Sequence, residues 1–260
     1  MSKIAKWVGP VYLEPIEHKY HHRETGKIYK SVTTTLASIE PHFDAEAVSL
    51  AITQQPNNKK QERYIGMTQQ EILDYWQFLN DEANTYGTRV HDILERYLLA
   101  NKWYFPPDTE EGIFEGKVID SYTNLKIDEG MNMWPERILF SEEYQLAGTS
   151  DLIIDIDDVF FDVADYKTNR VFNFFNPYGF ETLHPPFDHL QACQWSIYTL
   201  QLSVYAYMYE LEFPKRKCRQ IYVLYWDKVT ESFQKIQIMY LKKEAKQLIE
   251  MHLYNVMKNI

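Results

Sequence analysis

The feature that most constrains the fold lies between Gly148 and Lys167, where two apolar strands are joined by a turn and each carries charged residues at one end. The segment begins Gly-Thr-Ser-Asp and ends Asp-Tyr-Lys. Side chains alternate along a strand, so Asp165 and Lys167 project from the same face. Carboxylate oxygens are the ligands that hard divalent cations prefer, and a folded hairpin can bring Asp151 and Asp165 around one ion. The pattern therefore predicts a metal site with an ammonium group beside it, where a phosphate and an attacking water would fit.

The composition is that of one globular domain. Of the 260 residues, 45% are hydrophobic and 15% are aromatic, which is enough to bury one substantial core. No Gly/Ser-rich or Pro-rich linker divides the chain, so a single domain with insertions is expected. No run of about 18 apolar residues occurs, and the first residues lack the apolar stretch of a secretory signal. These observations predict a cytoplasmic protein without a membrane partner.

Cysteine content and net charge narrow the function classes. Cys193 and Cys218 are the only cysteines, too few for a four-thiolate iron–sulfur cluster. The formal net charge of −10 argues against a protein that coats duplex nucleic acid with a broad basic surface, because such binding depends on neutralising phosphates. An enzyme that acts on nucleic acid is still compatible with this charge, because carboxylates gathered around a metal contribute to it. Local basic clusters remain at residues 19–30 and 215–219.

The N-terminal part is predicted to form a β-hairpin followed by a helix. Aromatic and β-branched residues from Val11 to Thr33 surround the turn sequence Glu-Thr-Gly-Lys, which is typical of a hairpin. Residues 34–55 have a helical pattern, and the polar run at residues 56–60 predicts a break or loop after it.

A second helical region follows the break. Thr68 and Glu71 have the spacing of a capping box, so this region is expected to begin there and to continue to about Asn101. It carries His91. A further helix is expected to end near Gly130.

The second half of the chain changes to short segments rich in Ile, Val, Phe and Tyr, separated by turn residues, as in β-strands. A long helix at 188–211 and a final helix from residue 242 flank them. The predicted strands are residues 137–140, 144–149, 152–156, 159–166, 220–226 and 233–239. Helices around a mixed central sheet predict an α/β fold. Its expected parts are an N-terminal hairpin (1–35), a helical region (36–130), a catalytic sheet with its helix (137–240) and a C-terminal helix (241–260).

A second motif, Gly-Thr-Arg-Val-His-Asp-Ile-Leu-Glu, occupies residues 87–95 and is predicted to be helical. It places His91 and Glu95 one turn apart on one face. A lone histidine on a helix is more often a surface or packing residue than a ligand. Here the motif precedes Glu142-Glu143, the Gly-Thr-Ser-Asp segment and the Asp-Tyr-Lys segment in that order, and the combination is specific.

These motifs resemble the RecB-like branch of the PD-(D/E)xK nuclease superfamily, which includes the mitochondrial genome maintenance exonuclease, Cas4-type nucleases and many phage nucleases. The strong matches are residues 87–95, 148–151 and 165–168, and Gln-Leu-Ser-Val-Tyr-Ala at 201–206 is similar to the family's Q-L-x-x-Y-A motif. Weaker similarity extends the resemblance back to about His18. It implies a restriction-endonuclease-like nuclease core with an N-terminal hairpin and a helical insertion.

The resemblance also implies roles for individual residues. His91, Asp151 and Asp165 would hold the metal, the backbone carbonyl of Tyr166 would complete the protein ligands, and Lys167 would be catalytic. An imidazole beside two carboxylates suits Mn²⁺ at least as well as Mg²⁺, so one or two ions of either metal are expected. Candidates for holding a second ion or orienting a ligand are Glu95, Glu142 and Glu143, each with an ordinary surface role as the alternative.

One stripe of the long helix carries Gln194, Tyr198, Gln201 and Tyr205. Such side chains can hydrogen-bond phosphate oxygens or orient Lys167, although a tyrosine can also pack in the core with its hydroxyl satisfied elsewhere. By the motif match, Gln201 and Tyr205 are assigned to the catalytic site.

The connection after Thr168 is unusually aromatic. Rings there can stack on unpaired bases, worth roughly 1–3 kcal/mol per base, or they can pack under the loop. The candidate contacts to nucleic acid in this region and on the long helix are Thr168, Arg170, Phe172, Phe174, Gln194 and Tyr198.

The expected function is that of a Mg²⁺- or Mn²⁺-dependent deoxyribonuclease, an exonuclease of replication, recombination or repair that prefers DNA with single-stranded ends. Its expected partners are DNA and replication or recombination proteins, and a phage origin would place it in the host cytoplasm. One alternative is a catalytically silent nucleic-acid-binding accessory protein, against which the intact Asp151, Asp165 and Lys167 count. The other is a Cas4-like adaptation nuclease, which would have to lack the iron–sulfur cluster.

Overall fold

The computed structural model describes residues 3–4, 9–54, 59–100, 104–127, 131–176 and 179–258. Strands among these residues form one mixed sheet of nine strands flanked by helices, so the predicted α/β architecture is confirmed. The strands are β1 (Lys3–Ile4), β2 (Val11–Glu14), β3 (Lys19–His22), β4 (Ile28–Ser31), β5 (Asn132–Ser141), β6 (Leu146–Asp155), β7 (Phe160–Lys167), β8 (Lys217–Asp227) and β9 (Ser232–Ile238). The helices are α1 (Val32–Ala37), α2 (Ala45–Gln54), α3 (Gln69–Ala100), α4 (Glu110–Asn124), α5 (Gln194–Glu212) and α6 (Lys242–Lys258), with a short 3₁₀ helix at Lys59–Tyr64.

Strand β6 organises the sheet. It pairs antiparallel with β5 along its length. On its other edge it pairs with β4 at Leu146 and Ala147, and with β7 from Leu152 to Asp155. Among the described strands, none pairs with residues 148–151 on that edge, because β4 ends and β7 turns away. The sheet then continues through β8, parallel to β7, to β9.

The two faces of the sheet are covered by different helices. One apolar cluster joins the sheet to α1, α5 and α6, and a second joins it to α3 and α4. Alternate residues of β8 enter opposite clusters, with Ile221 and Val223 in the first and Tyr222 and Leu224 in the second. This alternation is the period of two that a strand buried on both faces requires.

Several boundaries differ from those predicted. The expected hairpin forms around Gly26, and a further hairpin joins β2 to β3. The single helix predicted at 34–55 is divided into α1 and α2, because Pro41 lies between them and cannot continue a helical hydrogen-bond ladder. The strands predicted at 144–149 and 152–156 are one strand, β6, and the long helix begins at Gln194.

The capping box predicted before α3 is confirmed. The Thr68 backbone amide donates to Oε2 of Glu71 at 2.7 Å, and the Glu71 amide donates to Oγ1 of Thr68 at 3.2 Å. Of the break predicted at 56–60, residues 56–58 lie outside the described residues, and residues 59 and 60 begin the 3₁₀ helix. The predicted helix ends at Asn101 and Gly130 also lie outside the described residues. None of the described helices combines the length and apolar character needed to span a membrane.

Candidate metal centre

Three elements converge where β6 and β7 separate. Helix α3 supplies His91, β6 supplies Asp151, and the end of β7 supplies the segment from Asp165 to Lys167. The position of α3 is set by its apolar stripe, which is buried in the core at Val90, Ile93, Leu94 and Leu98. Because His91 is next to this stripe, its ring lies at the rim of the sheet.

The ring of His91 contacts both strands. Its Nε2 lies 3.1 Å from the carbonyl oxygen of Tyr166, and its Nδ1 lies 3.5 Å from Oδ2 of Asp151. The same carboxylate oxygen accepts the backbone N–H of Tyr166 at 2.7 Å. Asp151 therefore satisfies a β7 amide at the point where pairing with β6 has ended.

A glutamate that the sequence analysis missed completes the group. Glu136 of β5 has a φ of 48°, and the β5–β6 register runs from Pro135 to Arg137 without it. It lies opposite Asp151, and His91, Glu136 and Asp151 each offer one ligand atom within 4.8 Å of the other two. The only signal for Glu136 in the sequence is the register of the β5–β6 hairpin, counted back from Asp151.

Asp165 and Lys167 lie side by side next to this group. The Lys167 ammonium contacts Oδ2 of Asp165, which is 2% exposed. Burial, together with the charge of Asp151, raises the pKa of Asp165 to about 6. Burial alone would lower the pKa of Lys167, but the charges of Asp165 and Asp151 outweigh it and raise that pKa above its usual value. The pocket thus carries excess negative charge that a cation would neutralise.

The donor set fits a divalent cation that accepts oxygen and imidazole ligands. Bonds of about 2.0–2.2 Å place neighbouring ligand atoms about 3 Å apart. Nε2 of His91 and the carbonyl oxygen of Tyr166 already have this spacing, at 3.1 Å. Side-chain shifts at Glu136 and Asp151 would bring their oxygens to the same ion.

The centre opens into a groove of about 810 Å³, whose walls include His18, Glu95 and Asn169. Gly87 allows α3 to approach the end of β7, since a Cβ there would lie 3.1 Å from Oγ1 of Thr168. Thr168 itself is buried by this contact, whereas Arg170 is exposed.

The α5 stripe holds the site from the opposite face of the sheet. The Tyr198 ring centroid lies 4.6 Å from Nζ of Lys167, and its hydroxyl donates to Oδ1 of Asn169 at 3.0 Å. Gln194 accepts the backbone N–H of Asn173 at 3.1 Å. These side chains therefore orient Lys167 and the following loop.

The two motif residues lie deeper in the same stripe. Nε2 of Gln201 donates to the hydroxyl of Tyr205 at 3.2 Å. Tyr205 is buried beneath Gly148, where a Cβ would come within 2.7 Å of its Cε1. The packing explains why glycine occupies position 148, and it gives Tyr205 a supporting place under the β6 segment that carries Asp151.

Two predicted glutamates lie elsewhere. Glu142 contacts the Tyr29 hydroxyl and lies 3.1 Å from Nζ of Lys27. Glu143 is exposed at the same turn. Glu142 is six residues beyond Glu136, which is about 20 Å along an extended strand. The hairpin therefore places both residues away from Asp151, whereas Glu136 lies beside it.

One ring of the aromatic loop, that of Phe172, is buried, whereas Phe175 is 69% exposed. Phe172 is 9% exposed, with the rings of Trp195, Tyr198 and Tyr225 at 6.1, 5.7 and 5.6 Å. Phe174 is half-exposed, and the centroid of its ring lies 5.2 Å from that of Trp195. Base stacking by Phe172 is therefore excluded in this arrangement, because its ring is already surrounded by the loop and α5.

No protein-family model matches the chain, and no curated protein matches it. Among solved structures, it is similar to a "Putative exonuclease" from Eubacterium rectale, with 12% sequence identity and a TM-score of 0.36. The match covers 84% of this chain and 68% of that chain. The function is accordingly argued from the site itself.

Proposed function

We propose that this chain is a Mg²⁺- or Mn²⁺-dependent deoxyribonuclease that hydrolyses phosphodiester bonds. The observation that carries the proposal is the convergence of His91, Glu136, Asp151 and the Tyr166 carbonyl, with Lys167 alongside. Oxygen and imidazole ligands suit these two ions. The adjacent ammonium supplies the positive charge that a phosphate needs during displacement.

Each residue has a distinct part in the reaction. A bound divalent ion polarises a phosphodiester and lowers the pKa of a bound water. His91, Glu136, Asp151 and the Tyr166 carbonyl would hold that ion, together with Asp165, the further ligand that the motif resemblance implies. Lys167 orients the attacking water and offsets the charge that develops on the non-bridging oxygens. Asp165 and Tyr198 contact Lys167 and fix its ammonium in the groove.

The decisive experiment compares the wild type with Lys167→Ala on labelled DNA in Mn²⁺. We expect wild-type cleavage that a chelator abolishes. The substitution should lower the rate by at least about 10²-fold, the scale for one lost transition-state contact. An unchanged melting temperature would show that the fold is retained. Cleavage by Lys167→Ala at the wild-type rate would refute the assignment, and a mobility shift without product in the wild type would favour the silent accessory protein.

The finer proposal is an exonuclease of replication, recombination or repair that acts on single-stranded ends. It is supported by the motif resemblance. Linear and closed circular single-stranded DNA of one sequence test it. Exonuclease action predicts degradation of the linear form alone, and equally fast loss of the circles would contradict it.

A further inference from the structure

A second cavity of about 910 Å³ lies along α3 next to the metal-centre groove. The two cavities share four residues of α3, spaced so that they form one exposed stripe: Asn84, Thr88, Asp92 and Glu95. A ligand that occupies the groove can therefore continue across this stripe into the second cavity.

Two arginines line the second cavity, each against an aromatic ring. The Arg89 guanidinium carbon lies 4.2 Å from the Phe114 ring centroid. That of Arg96 lies 4.5 Å from the ring of Tyr104 and 5.7 Å from that of Phe105. A guanidinium whose face is stacked on a ring keeps N–H donors at its edge, where they can reach a phosphate. Arg96 uses one of these donors internally, because its Nε–H donates to the carbonyl oxygen of Asp92 at 3.0 Å.

The aromatic residues of this cavity are exposed but firmly placed. Tyr104 is 68% exposed. Its backbone is held by Glu115, a side chain of 0% exposure whose Oε2 accepts the amides of Tyr104 and Phe105 at 3.0 and 2.9 Å. Burying a carboxylate is costly unless it is paired, and Glu115 is paired with these two amides and with Arg96, whose Nη2 lies 4.0 Å from its Oε1. A ring held in advance also loses little entropy when a ligand stacks on it.

We infer that Arg89, Arg96, Tyr104 and Phe105, here called the arginine–aromatic patch, form a subsite for single-stranded nucleic acid. The inference deepens the proposed function, because it places part of the substrate strand beyond the scissile phosphate. An unpaired base offers its face to Tyr104, whereas bases in a duplex are already stacked on each other. The carboxylates of Asp92 and Glu95 disfavour phosphate on the stripe between the cavities, so a strand that crosses the stripe would be held on either side of it, at the metal centre and at the patch.

Fluorescence anisotropy in EDTA, with a labelled oligothymidylate of about 20 nucleotides, tests the subsite without turnover. Tyr104→Ala should weaken binding by at least about fivefold, the lower end for one stacked base, and Tyr104→Phe should bind like the wild type. An abasic chain of equal length should show no such difference. Arg89→Gln should lower the slope of log K against log salt by about one in magnitude, as expected for one lost phosphate contact.

Tyr254→Ala is the matched control, because this exposed tyrosine lies on α6, outside both cavities. Its affinity should equal that of the wild type. Unchanged affinity in both Tyr104→Ala and Arg89→Gln overturns the subsite, as does an equal loss on the abasic chain. The proposed function is tested separately with bis(p-nitrophenyl) phosphate, a phosphodiester that has no base to stack. The wild type should hydrolyse it in Mn²⁺, and failure to do so would count against the proposed function and not against the subsite.

Discussion

Nε2 of His91 and the carbonyl oxygen of Tyr166 lie 3.1 Å apart, although 75 positions separate the two residues in the chain. The contact joins the C-terminal half of α3 to the end of β7, and it gives the site a nitrogen and an oxygen donor at the spacing of neighbouring ligands. The metal centre therefore depends on how α3 packs on the sheet as much as on the acidic strands.

Removing the imidazole should weaken metal binding. His91→Ala is expected to lower Mn²⁺ affinity by at least about tenfold, since one ligand is lost and no neighbouring group replaces its geometry. Isothermal titration calorimetry measures this directly. His189→Ala is the control, because His189 is exposed and lies 3.4 Å from Glu244, at the start of α6. Equal affinities in the two variants would remove His91 from the ligand set.

Glu136 and Glu142 make a paired test of which glutamate serves the centre. Glu136→Gln should reduce both the Mn²⁺-induced rise in melting temperature and the cleavage rate, because an amide is a poorer ligand than a carboxylate. Glu142→Gln should leave both unchanged, since Glu142 interacts with Tyr29 and Lys27 instead. If Glu142→Gln reduced both quantities and Glu136→Gln reduced neither, Glu142 and not Glu136 would serve the centre.

Asp165 should make the chelated protein sensitive to pH. Its pKa is raised from 3.8 to about 6, so the folded state binds this proton more tightly than the unfolded state does. The stability it contributes is present at low pH and is lost as the pH rises through about 6. Asp165→Asn should therefore gain stability over the wild type between about pH 4.5 and about pH 7.5 in EDTA, as read from urea denaturation. A difference that shrinks with rising pH would contradict this sign.

Gly148→Ala should destabilise the fold, because a Cβ at this position would lie 2.7 Å from Cε1 of Tyr205 and 3.0 Å from Cγ2 of Val32. Overpacking of this kind costs about 1–3 kcal/mol of unfolding free energy. Gly87→Ala is the comparison, because its added Cβ would meet only Oγ1 of Thr168, at 3.1 Å. A smaller loss at Gly148 than at Gly87 would contradict the packing.

The acidic core of the site was predictable because strand alternation alone puts Asp165 and Lys167 on one face, and because the order of the motifs singled out His91. Glu136 was not predictable from spacing. Its place depends on the pairing of β5 with β6 and on a backbone with positive φ. Glu142 is nearer to Asp151 in the sequence than Glu136 is. It lies in the turn that joins β5 to β6, however, and this turn is at the other end of the hairpin from Asp151.

Burial was the other property that sequence patterns did not resolve. Phe172 lies in a polar and aromatic connection, where a ring can face either solvent or core. Its contacts with Trp195 and Tyr225 come from α5 and β8, elements that follow it in the chain. Tyr104 shows the opposite outcome: its ring is exposed, while its backbone amide donates to the buried carboxylate of Glu115.

The gap in pairing along β6 has a dynamic consequence. Within the described sheet, the segment 148–151 has a neighbouring strand, β5, on one edge only. On its other edge it lies between the residues paired with β4 and those paired with β7. The backbone hydrogen bonds of such a segment can open locally while the neighbouring residues stay paired. Its amides should therefore exchange with deuterium sooner than those of Leu152–Asp155. That freedom would let the Asp151 carboxylate adapt to cations of unequal radius while the rest of the described sheet keeps its form.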